Sequence, residues 1–263
     1  MTPSFVDIDW CGRDTRIEYQ RLYPEKTEAP LLIFLHEGLG SAAMWKNFPR
    51  QLCDALDVQG LVYSRPGYGQ SSPRAANEQW QPDFMHRQAQ EVLPALLKAL
   101  HIPQAPWLFG HSDGGSIALL YAAHHAVAGL VVLAPHIMVE DVSINSITQA
   151  QQAYENTNLR ERLAPYHADV DSAFEGWRQI WLNPNFRNWS IEEDISTITC
   201  PVLAIQGIDD EYGTLAQIQG IARRLPQAKL VTLPACGHSP HRDQPDALID
   251  ACFNFFTLYK PKN

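Results

Sequence analysis

Six short apolar runs, each separated from the next by a longer stretch, constrain this 263-residue chain more than any other feature. They are Leu31 to Leu35, Leu61 to Tyr63, Trp107 to Phe109, Leu130 to Ala134, Val202 to Ile205 and Lys229 to Leu233. A strand with one wet face alternates polar and apolar residues, so continuous runs point to strands covered on both faces, as in a parallel sheet. Between them, Phe84 to Leu100, Ser116 to Ala123, Thr214 to Leu225 and Asp246 to Tyr259 have helical spacing. In the last of these, Leu248, Cys252, Phe255, Phe256 and Tyr259 fall on one side. Ahead of the first run, Val6-Ile8-Trp10 and Ile17-Tyr19 alternate with polar residues, which predicts two antiparallel strands at the sheet edge. The expectation is an α/β fold with a mainly parallel central sheet, helices on both faces, and a site beyond the carboxyl ends of the strands.

One region breaks this rhythm. From His136 to Ile198 no run qualifies as a strand, while helix-like stretches rich in aromatics follow one another. The reading is a helical cap, 136–198, inserted before the strand Val202 to Ile205 into a core made of 1–135 and 199–263. Trp177, Trp181, Trp189, Phe174 and Phe186 are candidates to line a substrate pocket, although aromatics at helical spacing more commonly just pack.

A composition of 45% hydrophobic and 19% charged residues is globular, and a chain of this length can bury one large core. The net charge of −9 comes with no Lys/Arg-rich run, which argues against nucleic acid or an anionic membrane as partner. Residues Met1 to Asp7 lack the basic start and apolar core of a signal peptide, so the expected location is cytoplasmic. The longest apolar stretch, Ile117 to Pro135, is interrupted by His124-His125 and reads as helix then strand rather than a membrane span. Cys11, Cys53, Cys200, Cys236 and Cys252 form neither a CxxC pair nor a disulfide framework and are expected to be reduced. Ala75 to Pro82, polar and bounded by proline, reads as a surface loop.

The chemistry concentrates where the run Trp107-Leu108-Phe109 continues into Gly110-His111-Ser112-Asp113-Gly114 and then into a helical stretch. A serine in such a G-x-S-x-G turn is held in strained backbone geometry with its hydroxyl above the sheet, and glycines let neighbouring chain approach. The helix start offers free N–H groups, of which that of Asp113 is a candidate to hold an oxyanion.

These residues resemble the α/β-hydrolase fold family, and the resemblance extends over nearly the whole chain. Leu32-Ile33-Phe34-Leu35-His36-Glu37-Gly38-Leu39-Gly40-Ser41 resembles the family's strand-then-His-Gly loop, which implies a second oxyanion donor at Gly38 or Leu39. Glu37 stands where the family commonly has glycine, so its carboxylate is expected to turn away or to meet substrate. Ser64-Arg65-Pro66-Gly67-Tyr68-Gly69-Gln70-Ser71 resembles a structural turn, with no chemistry assigned to Arg65. Gln206-Gly207-Ile208-Asp209-Asp210-Glu211 matches the position of the family's triad acid, with Asp210 preferred over Asp209. Pro234-Ala235-Cys236-Gly237-His238-Ser239-Pro240-His241 resembles the loop of the catalytic histidine, with His238 preferred and His241 the fallback. A metal held by the two histidines lacks a third ligand at suitable spacing.

Ser112, Asp210 and His238 thus occur in the chain order nucleophile, acid, base. The resemblance implies a serine hydrolase that cleaves a small carboxylic ester, lactone or thioester through an acyl-serine intermediate, with no metal or organic cofactor. The expected partner is a small acyl substrate, and monomer and homodimer stay equally open. Serine in place of aspartate disfavours epoxide hydrolases and haloalkane dehalogenases. Carbon–carbon hydrolases of ring-cleavage products, acyltransferases and a non-catalytic ligand-binding protein remain as alternatives.

Overall fold

The computed structural model describes residues 3–75 and 78–259. The alternating amino-terminal segments form β1 (Ser4–Trp10) and β2 (Arg13–Leu22), paired antiparallel. The apolar runs become β3 (Leu31–Leu35), β4 (Gln59–Tyr63), β5 (Trp107–His111), β6 (Gly129–Leu133), β7 (Val202–Gly207) and β8 (Lys229–Leu233). These six lie parallel to their neighbours, and β2 joins β4 antiparallel. The eight strands form one sheet in the order β1-β2-β4-β3-β5-β6-β7-β8, so β1 and β8 are its edges.

The helices are α1 (Phe48–Leu56), α2 (Phe84–Arg87), α3 (Leu93–Ala99), α4 (Asp113–Ala122), α5 (Asp141–Asn156), α6 (Leu159–Leu163), α7 (Val170–Trp181), α8 (Ala216–Arg224), α9 (Pro240–Asp243) and α10 (Pro245–Tyr259). Because side chains alternate along a strand, β3 sends Ile33 and Leu35 into one core and Leu32 and Phe34 into the other. Phe48 and Leu52 of α1 join Leu248 and Phe255 of α10 on the Leu32 side. Helices α3, α4 and α7 pack on the Ile33 side. Full burial of each such Leu, Ile or Phe contributes roughly 1.5–3 kcal/mol, so the two layers fix the sheet between them.

The stretch predicted as one helix from Phe84 to Leu100 is divided. Residues Gln88–Val92 form a wide π turn between α2 and α3. Pro94 explains the break, because its ring has no N–H and crowds the carbonyl four residues back, so the turn before it opens. Helix α1 was not anticipated, and Tyr259 of α10 is 37% exposed rather than part of the buried side. Ala75 to Pro82 has no regular structure where it is described, and its residues 76 and 77 lie outside the described residues.

The chain between β6 and β7 is helical, with α5, α6 and α7, one 3-10 turn between α6 and α7, two more after α7, and one isolated bridge, Met138 to Ser190. The segment Ile117 to Pro135 divides into the end of α4 and then β6, and no helix among the described residues is long and apolar enough to cross a membrane. Cys53, Cys236 and Cys252 are buried, Cys200 is half-buried and Cys11 is exposed, all five as free thiols.

Candidate active site

Ser112 sits in the abrupt turn from β5 to α4 with φ 53° and ψ −121°, a left-handed-side conformation that a residue with a side chain adopts only under constraint. The constraint is visible on both sides. A Cβ added at Gly110 would lie 2.3 Å from the Gly114 carbonyl oxygen, and one at Gly114 would lie 2.1 Å from that of Leu35. The Ser112 amide is held by the Leu133 carbonyl at 2.9 Å. Short side chains thus let α4 start directly above the ends of β3 and β5, which lifts Ser112 over the carboxyl edge of the sheet.

Two loops bring partners to it. His238, past β8, accepts the Ser112 hydroxyl at Nε2 over 2.9 Å, and its Nδ1–H donates to Asp210 Oδ1 over 2.9 Å. Asp210, past β7, takes three further donors: the amides of Tyr212 at 2.8 Å and Gly213 at 3.2 Å, and the Gln206 side chain at 3.0 Å. Burial alone would raise the Asp210 pKa, but the His238 hydrogen bond and charge together with the Tyr212 amide bring it below its ordinary value. Asp209 is exposed, and its backbone amide bonds the Cys236 carbonyl oxygen outside this chain. His241 is buried against Trp45, with ring centroids 4.8 Å apart, and takes no part in the chain.

Gly38, Leu39 and Asp113 border the same cavity as Ser112. Asp113 is the first residue of α4, so its N–H has no intrahelical partner. Its carboxyl group is buried, accepts from the Trp181 indole at 3.2 Å and has its pKa raised by that burial.

Glu37 turns its carboxylate toward His111, with Oε2 3.4 Å from Nδ1, and toward Arg242, whose Nη2 is 4.0 Å from Oε1. Room for this comes from Gly40, where a Cβ would meet Glu37 Oε2 at 2.6 Å. Burial opposes ionisation of Glu37, yet the His111 hydrogen bond and charge, with His241 and the Glu37 amide, together outweigh it and hold the pKa well below the usual carboxylate range. The other nitrogen of His111 donates to the His238 carbonyl oxygen at 2.6 Å, so this residue ties the Glu37 loop to the His238 loop. Arg65 is fully buried and donates to the Glu37 carbonyl oxygen at 2.8 Å and, through its amide, to His36 Nε2 at 3.0 Å, a bracing role with no contact to Ser112.

The cavity over Ser112 has a volume of about 240 Å³. Of the five aromatics considered as its lining, Trp177 and Trp181 border it, whereas Phe174, Phe186 and Trp189 are buried in the core beside them. Sequence reasoning missed His111, His136, Tyr212 and Arg242, all of which border this cavity. His111 lay inside the serine motif, and His136 follows a strand at the carboxyl edge, where sites of such sheets gather.

Residues 32–251 match the model of the alpha/beta hydrolase family. Among curated proteins the chain is similar to protein phosphatase methylesterase 1 of Bos taurus, 22% identical over 95% of this chain and 81% of that protein. It is also similar to the 2-hydroxy-6-oxo-6-phenylhexa-2,4-dienoate hydrolase of Comamonas testosteroni, 24% identical over 82% of this chain and 84% of that protein. Its fold superposes on a thermophilic esterase from Thermogutta terrifontis with a TM-score of 0.71, at 18% identity over 99% of this chain and all of that one. The match over 32–251, which takes in the parallel strands, the serine turn and the loops beyond β7 and β8, makes the chain a member of the alpha/beta hydrolase family.

Proposed function

We infer that the protein is a serine hydrolase that cleaves a small carboxylic ester through an acyl-serine intermediate, with Ser112 as nucleophile, His238 as base and Asp210 as the acid that orients it. The observation that carries this reading is the unbroken hydrogen-bonded chain from Ser112 Oγ through His238 to Asp210, set on a strained turn beside a small cavity.

Each step follows from that arrangement. A serine hydroxyl is a weak nucleophile at neutral pH unless a base takes its proton during attack, and His238 Nε2 is placed to do so. Asp210, ionised through the neutral range, fixes the tautomer with hydrogen on Nδ1 and stabilises the imidazolium that forms. The amides of Asp113 and of Gly38 or Leu39 receive the oxyanion, and Glu37, occupied by His111 and Arg242, keeps its charge off them. His238 then protonates the leaving alcohol and activates the water that releases the acid. These steps call for no metal or organic cofactor.

A cavity of about 240 Å³ roofed by Trp177 and Trp181 suits a short acyl group. The core of 1–135 and 199–263 would carry the chemistry and the helical cap of 136–198 would choose the substrate. Relatives named as a methylesterase and as a hydrolase of a ring-cleavage product support hydrolysis at a carbonyl carbon.

Release of p-nitrophenol from p-nitrophenyl butyrate tests the reading. Wild type turns over, and Ser112→Ala loses on the order of 10⁴-fold or more in kcat. Undiminished turnover by Ser112→Ala would overturn the assignment. A fluorophosphonate labels Ser112 of an activated hydrolase and leaves a mere ligand-binding protein unlabelled.

A further inference from the structure

The inner wall of the cavity is more polar than a plain hydrocarbon acyl chain calls for. His136 follows β6, is 2% exposed, and borders the cavity. Its ring packs edge-on against Trp181 with centroids 4.7 Å apart and lies 5.7 Å from the His238 ring. Its Nδ1 has no hydrogen-bond partner among the described residues, and neither does Asp113 Oδ2, whose sister oxygen takes the Trp181 indole N–H. Two unpaired polar groups therefore meet the same indole, within reach of the serine turn. Burial and the neighbouring His238 push the His136 pKa down to about 3, so the imidazole is neutral and can both accept and donate.

Both atoms are already closed to water without partners, a standing cost of about 1–3 kcal/mol each that a hydrocarbon chain leaves in place and a polar group bound to the imidazole offsets. A carboxylate on the acyl group is a poor alternative, because Glu37, Asp113 and Glu211 border the same cavity. Arg242, the cation on that wall, is already engaged by Ser239 Oγ at 2.6 Å and by Glu37. A hydroxyl is the smallest uncharged group that accepts and donates at once.

We propose that the acyl site takes a short hydroxy-substituted acyl group, 2- or 3-hydroxy, whose hydroxyl hydrogen-bonds the His136 imidazole, making His136 a specificity-determining residue. This rests on the reading of Ser112 as nucleophile and narrows its substrate class.

The test compares methyl butyrate, methyl 2-hydroxybutyrate and methyl 3-hydroxybutyrate by titration of the acid released. Wild type shows kcat/KM at least ~10-fold higher for one of the hydroxy esters than for butyrate, the factor expected from one buried hydrogen bond. In His136→Leu the ratio falls to about one, and in His136→Asn, which keeps a donor and an acceptor, part of it returns. The wild-type ratio decides the matter even where a variant fails to fold. Butyrate hydrolysed at least as fast as both hydroxy esters, or a ratio unchanged in His136→Leu, would overturn this proposal and leave the serine hydrolase intact. No turnover of any of the three together with no fluorophosphonate labelling would overturn both.

Discussion

At the scale of the residue, the two adjacent aspartates differ in what each touches. Asp210 accepts from His238 and from two backbone amides, whereas the Asp209 side chain is exposed. Asp210→Asn should lower kcat about 10⁴-fold in the butyrate assay, because the amide favours the wrong imidazole tautomer. Asp209→Asn should leave kcat close to wild type. Ser112, Asp210 and His238 were legible as candidates because each sits in a short glycine-bearing motif past an apolar strand, and the fold brings the three side chains into one hydrogen-bonded chain. His111 and His136 were not, since nothing in a linear sequence reports that a histidine reaches a carbonyl 127 positions away or faces a cavity across a sheet. Glu37 was legible as an oddity, but its partners His111 and Arg242 come from two other loops and emerge only with the fold.

At the scale of the element, the strands were the readable part. Lys229 to Leu233 and Leu31 to Leu35 coincide with β8 and β3, because β8 stops at Pro234, which cannot donate to a ladder, and β3 stops where His36 and Glu37 begin. Strands β5 and β7 run two residues beyond their apolar cores, to His111 and Gly207, and those extra polar residues carry the ladder up to the site. Helix α1 went unread although Phe48, Leu52 and Leu56 repeat every four residues, since Pro49 beside them looks like a breaker and is in fact tolerated in a first turn. The junction of α4 on β3 leaves no room for a side chain. Gly114→Ala would drive a Cβ to 2.1 Å from the Leu35 carbonyl oxygen and should destabilise the fold by about 3 kcal/mol, measured by urea unfolding. The same shift should displace Ser112 and lower kcat in whatever fraction still folds.

At the scale of the whole molecule, buried neutral histidines make the fold sensitive to acid. Burial, followed by the neighbouring His238 and His111 respectively, lowers the pKa values of His136 and His241 to about 3. The unfolded chain binds these protons near pH 6.5, so the stability they permit is complete above that value and is lost as pH falls from there toward 3. At pH 5 the loss is about 2 kcal/mol for each histidine. Urea titrations at pH 7 and pH 5 should show it, and His241→Phe should recover roughly half of the part owed to this pair.

The Trp181 indole, held to the carboxyl group of Asp113, joins the helical roof to the residue next to Ser112. Lifting α7 to admit a molecule would strip Asp113 of that donor and bare a second lone oxygen beside Ser112, so entry and the polarity around Ser112 would be mechanically linked. Tryptophan emission that shifts on acylation of Ser112, and is silenced in Trp181→Phe, would be the optical trace of that linkage.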